Sequence, residues 1–73
     1  MKRINLVKTD DKKTSVGSIT QTPTGLQLEG VGIGVFNSLK RAYGADPPKD
    51  SELFAILADG WSNGPVMSVT EEV

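Results

Sequence analysis

The sequence contains no cysteine and no histidine. The first absence excludes a disulfide framework, a thiolate nucleophile and a zinc–thiolate staple. The second excludes a Ser-His-Asp triad and an imidazole metal site. Aromatic residues are scarce, with one tryptophan, one tyrosine and two phenylalanines, and none precedes Phe36. Charge of one sign is lacking as well, since eight bases stand against nine acids. A chain with no basic excess and no rings among its N-terminal lysines is not built to bind nucleic acid. Long apolar runs are missing too. Nothing approaches the ~18 residues of a membrane span, and Met1–Lys8 has a basic start without the apolar core of a secretory signal. These absences leave carboxylate, lysine, arginine, hydroxyl and backbone groups. They predict a cytoplasmic, non-enzymatic protein with no cofactor, no metal and no membrane or nucleic-acid partner.

What is present fits one small folded domain spanning residues 1–73. The hydrophobic share of 37% and charged share of 23% suit a globular chain better than a disordered one. A domain near this size buries only about 60% of the surface of its unfolded chain, so its core is small. The charges are unevenly spread. Residues 1–43 carry seven bases and three acids, and residues 44–73 carry one base and six acids. Such a division either steers a charged partner or lets the two halves attract each other within the fold. The second is the simpler reading.

The apolar pattern predicts six elements. In Arg3–Lys8, Ile4 and Leu6 alternate with Arg3 and Asn5, the period of a half-buried strand. Thr9–Lys13 is a polar break whose aspartates favour a turn. Thr14–Thr22 is rich in β-branched residues, and Val16 and Ile19 share a face only if a bulge lies near Gly17. Thr22-Pro23-Thr24-Gly25 is a tight turn, and Leu26–Glu29 alternates again. The first thirty residues read as a three-stranded antiparallel meander, since such short connections cannot join parallel neighbours.

From residue 31 the spacing changes. Val31, Val35, Leu39 and Tyr43 recur every fourth position with Phe36 beside them, an apolar helical stripe. Lys40 and Arg41 suit the negative end of that helix, and Gly44 stops it. After Asp46-Pro47-Pro48-Lys49, Asp50 or Ser51 can cap a second helix, with Pro47 as a competing start. Its apolar face is Leu53, Phe54, Ile56 and Leu57. Gly60 ends it, and Trp61 follows where a hydrophobic residue folds back on the last turn. Asn63-Gly64-Pro65 turns the chain into a last strand, Val66–Thr70. The predicted fold class is α+β: a small antiparallel sheet, β-β-β-α-α-β, with two helices packed on one face.

Three places on this framework are candidate sites. Gly30-Val31-Gly32-Ile33-Gly34 feeds a helix N-terminus, where unpaired N–H groups and the helix dipole favour an anion. Gly30, Gly32 and Gly34 would hold a phosphate or nucleotide through backbone amides, although the spacing is neither G-x-G-x-x-G nor a P-loop. The alternative is that these glycines let the chain turn sharply or let the helix approach the sheet closely. Asp59–Gly64 places the sole tryptophan among small polar residues, so Trp61, Ser62 and Asn63 are candidate interface residues. Here the alternative is that Trp61 closes the core. Val31 and Phe36 on the first helix are the remaining interface candidates, through burial in an oligomer. Asp46, Asp50 and Glu52 read as helix-capping groups rather than acid–base groups. Lys2, Arg3, Lys8, Lys12 and Lys13 read as a solvated sheet edge that discourages aggregation.

In size and composition the chain resembles the short, cysteine-free proteins of bacteriophages and bacterial mobile elements. That resemblance implies an inhibitor or a sponge. The leading expectation is a small binding protein that acts by protein–protein interaction, occupying a larger protein's surface. An oligomer that sequesters a small anion at Gly30–Gly34 is the second, and a structural subunit of a larger assembly is the third. Self-association suits any of them, because an unstapled core this small barely offsets an ordering cost of roughly 1.5 kcal/mol per residue.

Overall fold

In the computed structural model, which describes residues 1–73, the alternating segments pair as the sequence predicts. Strands β1 (Lys2–Lys8), β2 (Ser15–Thr22) and β3 (Gly25–Gly30) form the antiparallel meander. Helices α1 (Gly32–Ala42) and α2 (Asp50–Ala58) follow, then strands β4 (Ser62–Asn63) and β5 (Val66–Glu72). The sheet order is β3-β2-β1-β5-β4. The fold is α+β. It has one element more than the apolar pattern predicts: β4 pairs Ser62 with Met67 and Asn63 with Val66. Two residues are too few to leave a periodic signal in the sequence.

Alternation turns Ile4, Leu6 and Ile19 toward the helices, where they form the core with Phe36, Leu53, Phe54 and Leu57. Only 11 of 73 residues are buried, so the core is as small as the chain length implies. The bulge lies where it was expected. Leu6 pairs with Gly17 and Val7 with Ser15, leaving Val16 as the extra residue, and Val16 packs against the core with Ile19. Gly44 and Gly60, at φ 74° and 80°, end the two helices, positions where a side chain would be strained.

Four local expectations do not hold. Strand β1 is the middle of the sheet, paired by β2 on one side and β5 on the other, so the basic set on and beside it is not a sheet edge. Helix α1 meets the sheet through buried Gly32 and Phe36, while Val31 and Tyr43 are 40% and 45% exposed. A Cβ on Gly32 would lie 2.5 Å from the Ser18 carbonyl oxygen. That close approach sets the rotation of the helix and swings the ends of the expected stripe off the sheet.

Ile56 is 40% exposed although Leu53, Phe54 and Leu57 are buried. Those three residues span about 100° of the helix, and Ile56 falls roughly 60° outside that arc. Lastly, α2 starts at Asp50 with no side-chain cap hydrogen bond at its N-terminal boundary, Lys49. The Asp50 carboxylate pairs instead with Lys40 Nζ at 3.3 Å, and that ammonium also sits 5.3 Å from the centre of the Phe36 ring.

Two side-chain ion pairs cross the charge division. Arg3–Glu71 at 3.6 Å and Lys40–Asp50 at 3.3 Å each join a base from residues 1–43 to an acid from residues 44–73. Both pairs are exposed and contribute little to stability. The first of them follows from the sheet, which sets β1 beside β5.

Candidate functional site

The glycine segment is divided by the fold. Gly30, at φ 57°, turns the chain out of β3, and the Val31 N–H donates to the Val16 carbonyl at 3.1 Å. A Cβ would lie 2.5 Å from Val16 O at Gly30, 2.5 Å from Ser18 O at Gly32, and 2.6 Å from Val31 N at Gly17. Gly17, Gly30 and Gly32 therefore let the β3–α1 corner touch the backbone of β2. Val16 O on this side is already engaged by the Val31 N–H, and no side chain caps the N-terminus of α1. Gly34 differs. A Cβ at Gly34 would meet nothing within 4 Å.

Gly34 instead lines a groove with Val35, Ser38, Leu39 and Ala42 of α1 and with Trp61 and Asn63, enclosing about 380 Å³. Gly34, Ser38 and Ala42 recur every fourth residue, which puts three small residues on one flank of the helix. They leave room that larger side chains would fill. Trp61 is half-buried and packs against the core. Its carbonyl oxygen accepts the Ser68 N–H at 2.8 Å and lies 3.1 Å from the Ser68 hydroxyl, so β5 anchors the tryptophan backbone. The lining offers one hydroxyl, Ser38, one amide, Asn63, and no ionisable side chain. Such a groove can seat an apolar side chain and hydrogen-bond at its rim. It holds no group that takes or gives a proton near neutral pH.

The structure thus brings together three of the sequence candidates: Gly34, Trp61 and Asn63. Ser62 is exposed beside them in β4. Val31 is exposed at the start of α1, outside the groove, and Phe36 is 3% exposed in the core. Ser38, Leu39 and Ala42 were not singled out as site residues. The signal for Ser38 and Ala42 was the every-fourth-residue run of small side chains from Gly34, which the stronger apolar stripe through Leu39 masks.

The uncovered face of the sheet was also missed as a unit. Arg3, Asn5, Ser18, Thr20, Gln27 and Glu29 line a shallow polar depression of about 320 Å³ there. Arg3 Nε donates to Thr20 Oγ1 at 3.4 Å, and Gln27 Nε2 donates to Glu29 Oε1 at 3.2 Å. Polar alternation in the strands was the available signal.

One carboxyl is strongly perturbed. Asp11, in the β1–β2 turn, accepts the Thr14 hydroxyl and the N–H groups of Thr14 and Lys13, at 3.0 and 2.9 Å for the latter two. The Thr14 hydroxyl leads in lowering its pKa from 3.8 to about 2. This is a turn-closing carboxylate, remote in sequence from the groove.

No group of three His, Cys, Asp or Glu side chains is placed to hold a metal ion, and no helix is long and apolar enough to cross a membrane. No protein-family model, curated protein or solved structure matches this chain. The groove is therefore read from its own geometry.

Proposed function

We propose that this chain is a small non-enzymatic binding protein that acts by protein–protein interaction. Its α1–Trp61 groove receives an apolar side chain of a larger cytoplasmic protein, whose surface it occupies as an inhibitor would. The observation that supports this most is the half-buried Trp61 beside an open, mainly apolar groove of about 380 Å³. Binding energy concentrates on such aromatic anchors in desolvated pockets. The Ser68 contacts hold the Trp61 backbone in place before any partner arrives, which reduces the ordering cost of association.

The test uses affinity capture with the wild-type chain and a Ser38→Arg variant, whose long side chain plugs the groove from an exposed helix position. The captured partner is then purified and titrated against chain labelled with 5-fluorotryptophan, which gives one ¹⁹F signal because there is one tryptophan. The expected result is a stoichiometric partner that Ser38→Arg loses and that shifts the Trp61 signal. A partner held equally by both chains, or none at all, overturns the reading.

A further inference from the structure

The two edges of the sheet are protected very differently. On one side β4 is two residues long, and a short edge strand offers little to a foreign strand. On the other side β3 runs for six residues, Gly25–Gly30, with no proline, no lysine and a single charge, Glu29. Its two leucines, Leu26 and Leu28, are only half-buried at the border of the core.

The ladder decides which backbone groups of β3 are free. Val31 N–H donates to Val16 O, and Thr22 pairs with Gly25 across a two-residue turn. Both place the hydrogen-bonded pairs with β2 at Gly25, Gln27 and Glu29, since such pairs alternate along an antiparallel ladder. The N–H and C=O groups of Leu26, Leu28 and Gly30 are therefore turned to the open edge. Leu28 lies opposite Ile19 on the helix side, while Gln27 and Glu29 lie opposite Thr20 and Ser18 on the uncovered side.

We propose that this edge pairs with the β3 edge of a second copy of the chain, antiparallel about a twofold axis at Leu28, to form a continuous ten-stranded sheet. This register uses every outward group: Leu28 bonds with Leu28 of the second copy, and Leu26 bonds with Gly30 in both directions. It also sets Gln27 opposite Glu29 twice on the uncovered face, an amide donor against a carboxylate acceptor at closely spaced non-hydrogen-bonded positions. A twofold at Glu29 would oppose two like charges. A twofold at Gln27 would leave Gly30 unpaired. The self-complementary row thus selects one register, and an isologous contact closes at two copies. Val31 and Ile33, 40% and 51% exposed, directly follow the edge and supply apolar surface beside it. The edge lies at the opposite end of the sheet from β4, and its test reads self-association rather than capture of a different protein.

Sedimentation equilibrium over a wide concentration range tests it with two variants at exposed Gln27. Gln27→Lys is expected to tighten the dimer, by pairing with Glu29 of the second copy. Gln27→Glu is expected to loosen it by roughly two- to thirty-fold, given two cross-strand pairs of up to about 1 kcal/mol each. The amides of Leu26, Leu28 and Gly30 should gain hydrogen-exchange protection as concentration rises, while those of Gln27 and Glu29 stay protected throughout. A wild-type chain that remains monomeric to about millimolar concentration overturns the proposal. So does a dimer that ignores both substitutions.

Discussion

Gly17 and Gly30 face each other across β2 and β3, and neither position has space for a side chain. A Cβ at Gly17 would lie within 2.8 Å of three backbone atoms, in Val31, Glu29 and Gly32. Backbone at a strand–helix corner cannot rotate aside as a side-chain tip can. Gly17→Ala is expected to destabilise by about 1–3 kcal/mol, the range for overpacking, whereas Gly34→Ala is expected to be neutral or to stabilise by about 0.5–1 kcal/mol through helix propensity. Urea denaturation of the two variants checks the contrast. Equal effects would remove the close-approach account of this corner.

Ser68 ties the end of α2 to β5. Its hydroxyl lies 2.9 Å from the Leu57 carbonyl oxygen in a buried position, and Thr70 makes the exposed equivalent to Ala58 O at 3.0 Å. Ser68→Ala leaves a buried acceptor short of a donor and is expected to cost about 1–3 kcal/mol. Thr70→Ala lets water replace the lost donor and is expected to cost less, about 0.5–1 kcal/mol. Thermal and denaturant unfolding should rank the two in that order.

Asp11 gives the fold a pH dependence of known sign. Its folded pKa, about 2, is below the ordinary 3.8, so the stabilisation from its hydrogen bonds is fully present above about pH 4. It is lost as pH falls toward and through 2. Thr14→Val removes the leading cause of the shift, so the Asp11 pKa should rise toward 3.8 and the loss should begin at higher pH. A ¹³C-carboxyl NMR titration reads the value directly. An unchanged pKa in Thr14→Val would refute the assigned cause.

Lys12 is the one non-glycine residue with positive φ, at 59°. Left-handed backbone crowds a Cβ, and the Lys12 side chain makes no compensating ion pair. Lys12→Gly is therefore expected to stabilise by about 0.5–1 kcal/mol net of the added chain entropy. Lys12→Ile should destabilise, because a β-branched side chain fits that conformation worst. Denaturant midpoints at constant m-value decide it.

Much of the fold was legible because short-range physics imposes it. The period-two run around Ile4 and Leu6, the bulge needed to align Val16 with Ile19, and the helix stops at Gly44 and Gly60 depend on residues a few positions apart. Likewise, the missing cysteine and histidine still exclude the chemistry they excluded from the sequence alone. The site was legible only in pieces: Trp61 and Asn63 as one candidate, Gly34 within another, and Ser38 and Ala42 not at all.

Tertiary structure decided the rest. Whether a glycine makes a close contact depends on which backbone lies opposite it, and Gly30 and Gly32 meet Val16 and Ser18 from a different strand. Whether lysines on a strand guard an edge depends on strand order, and β5 returns from the far end of the chain to put β1 in the middle. The same return sets Glu71 of the acidic half beside Arg3 of the basic half, a contact that no local pattern reveals. Local pattern names the elements and their faces; only long-range packing chooses their neighbours, because contacts between distant residues leave no period in the sequence.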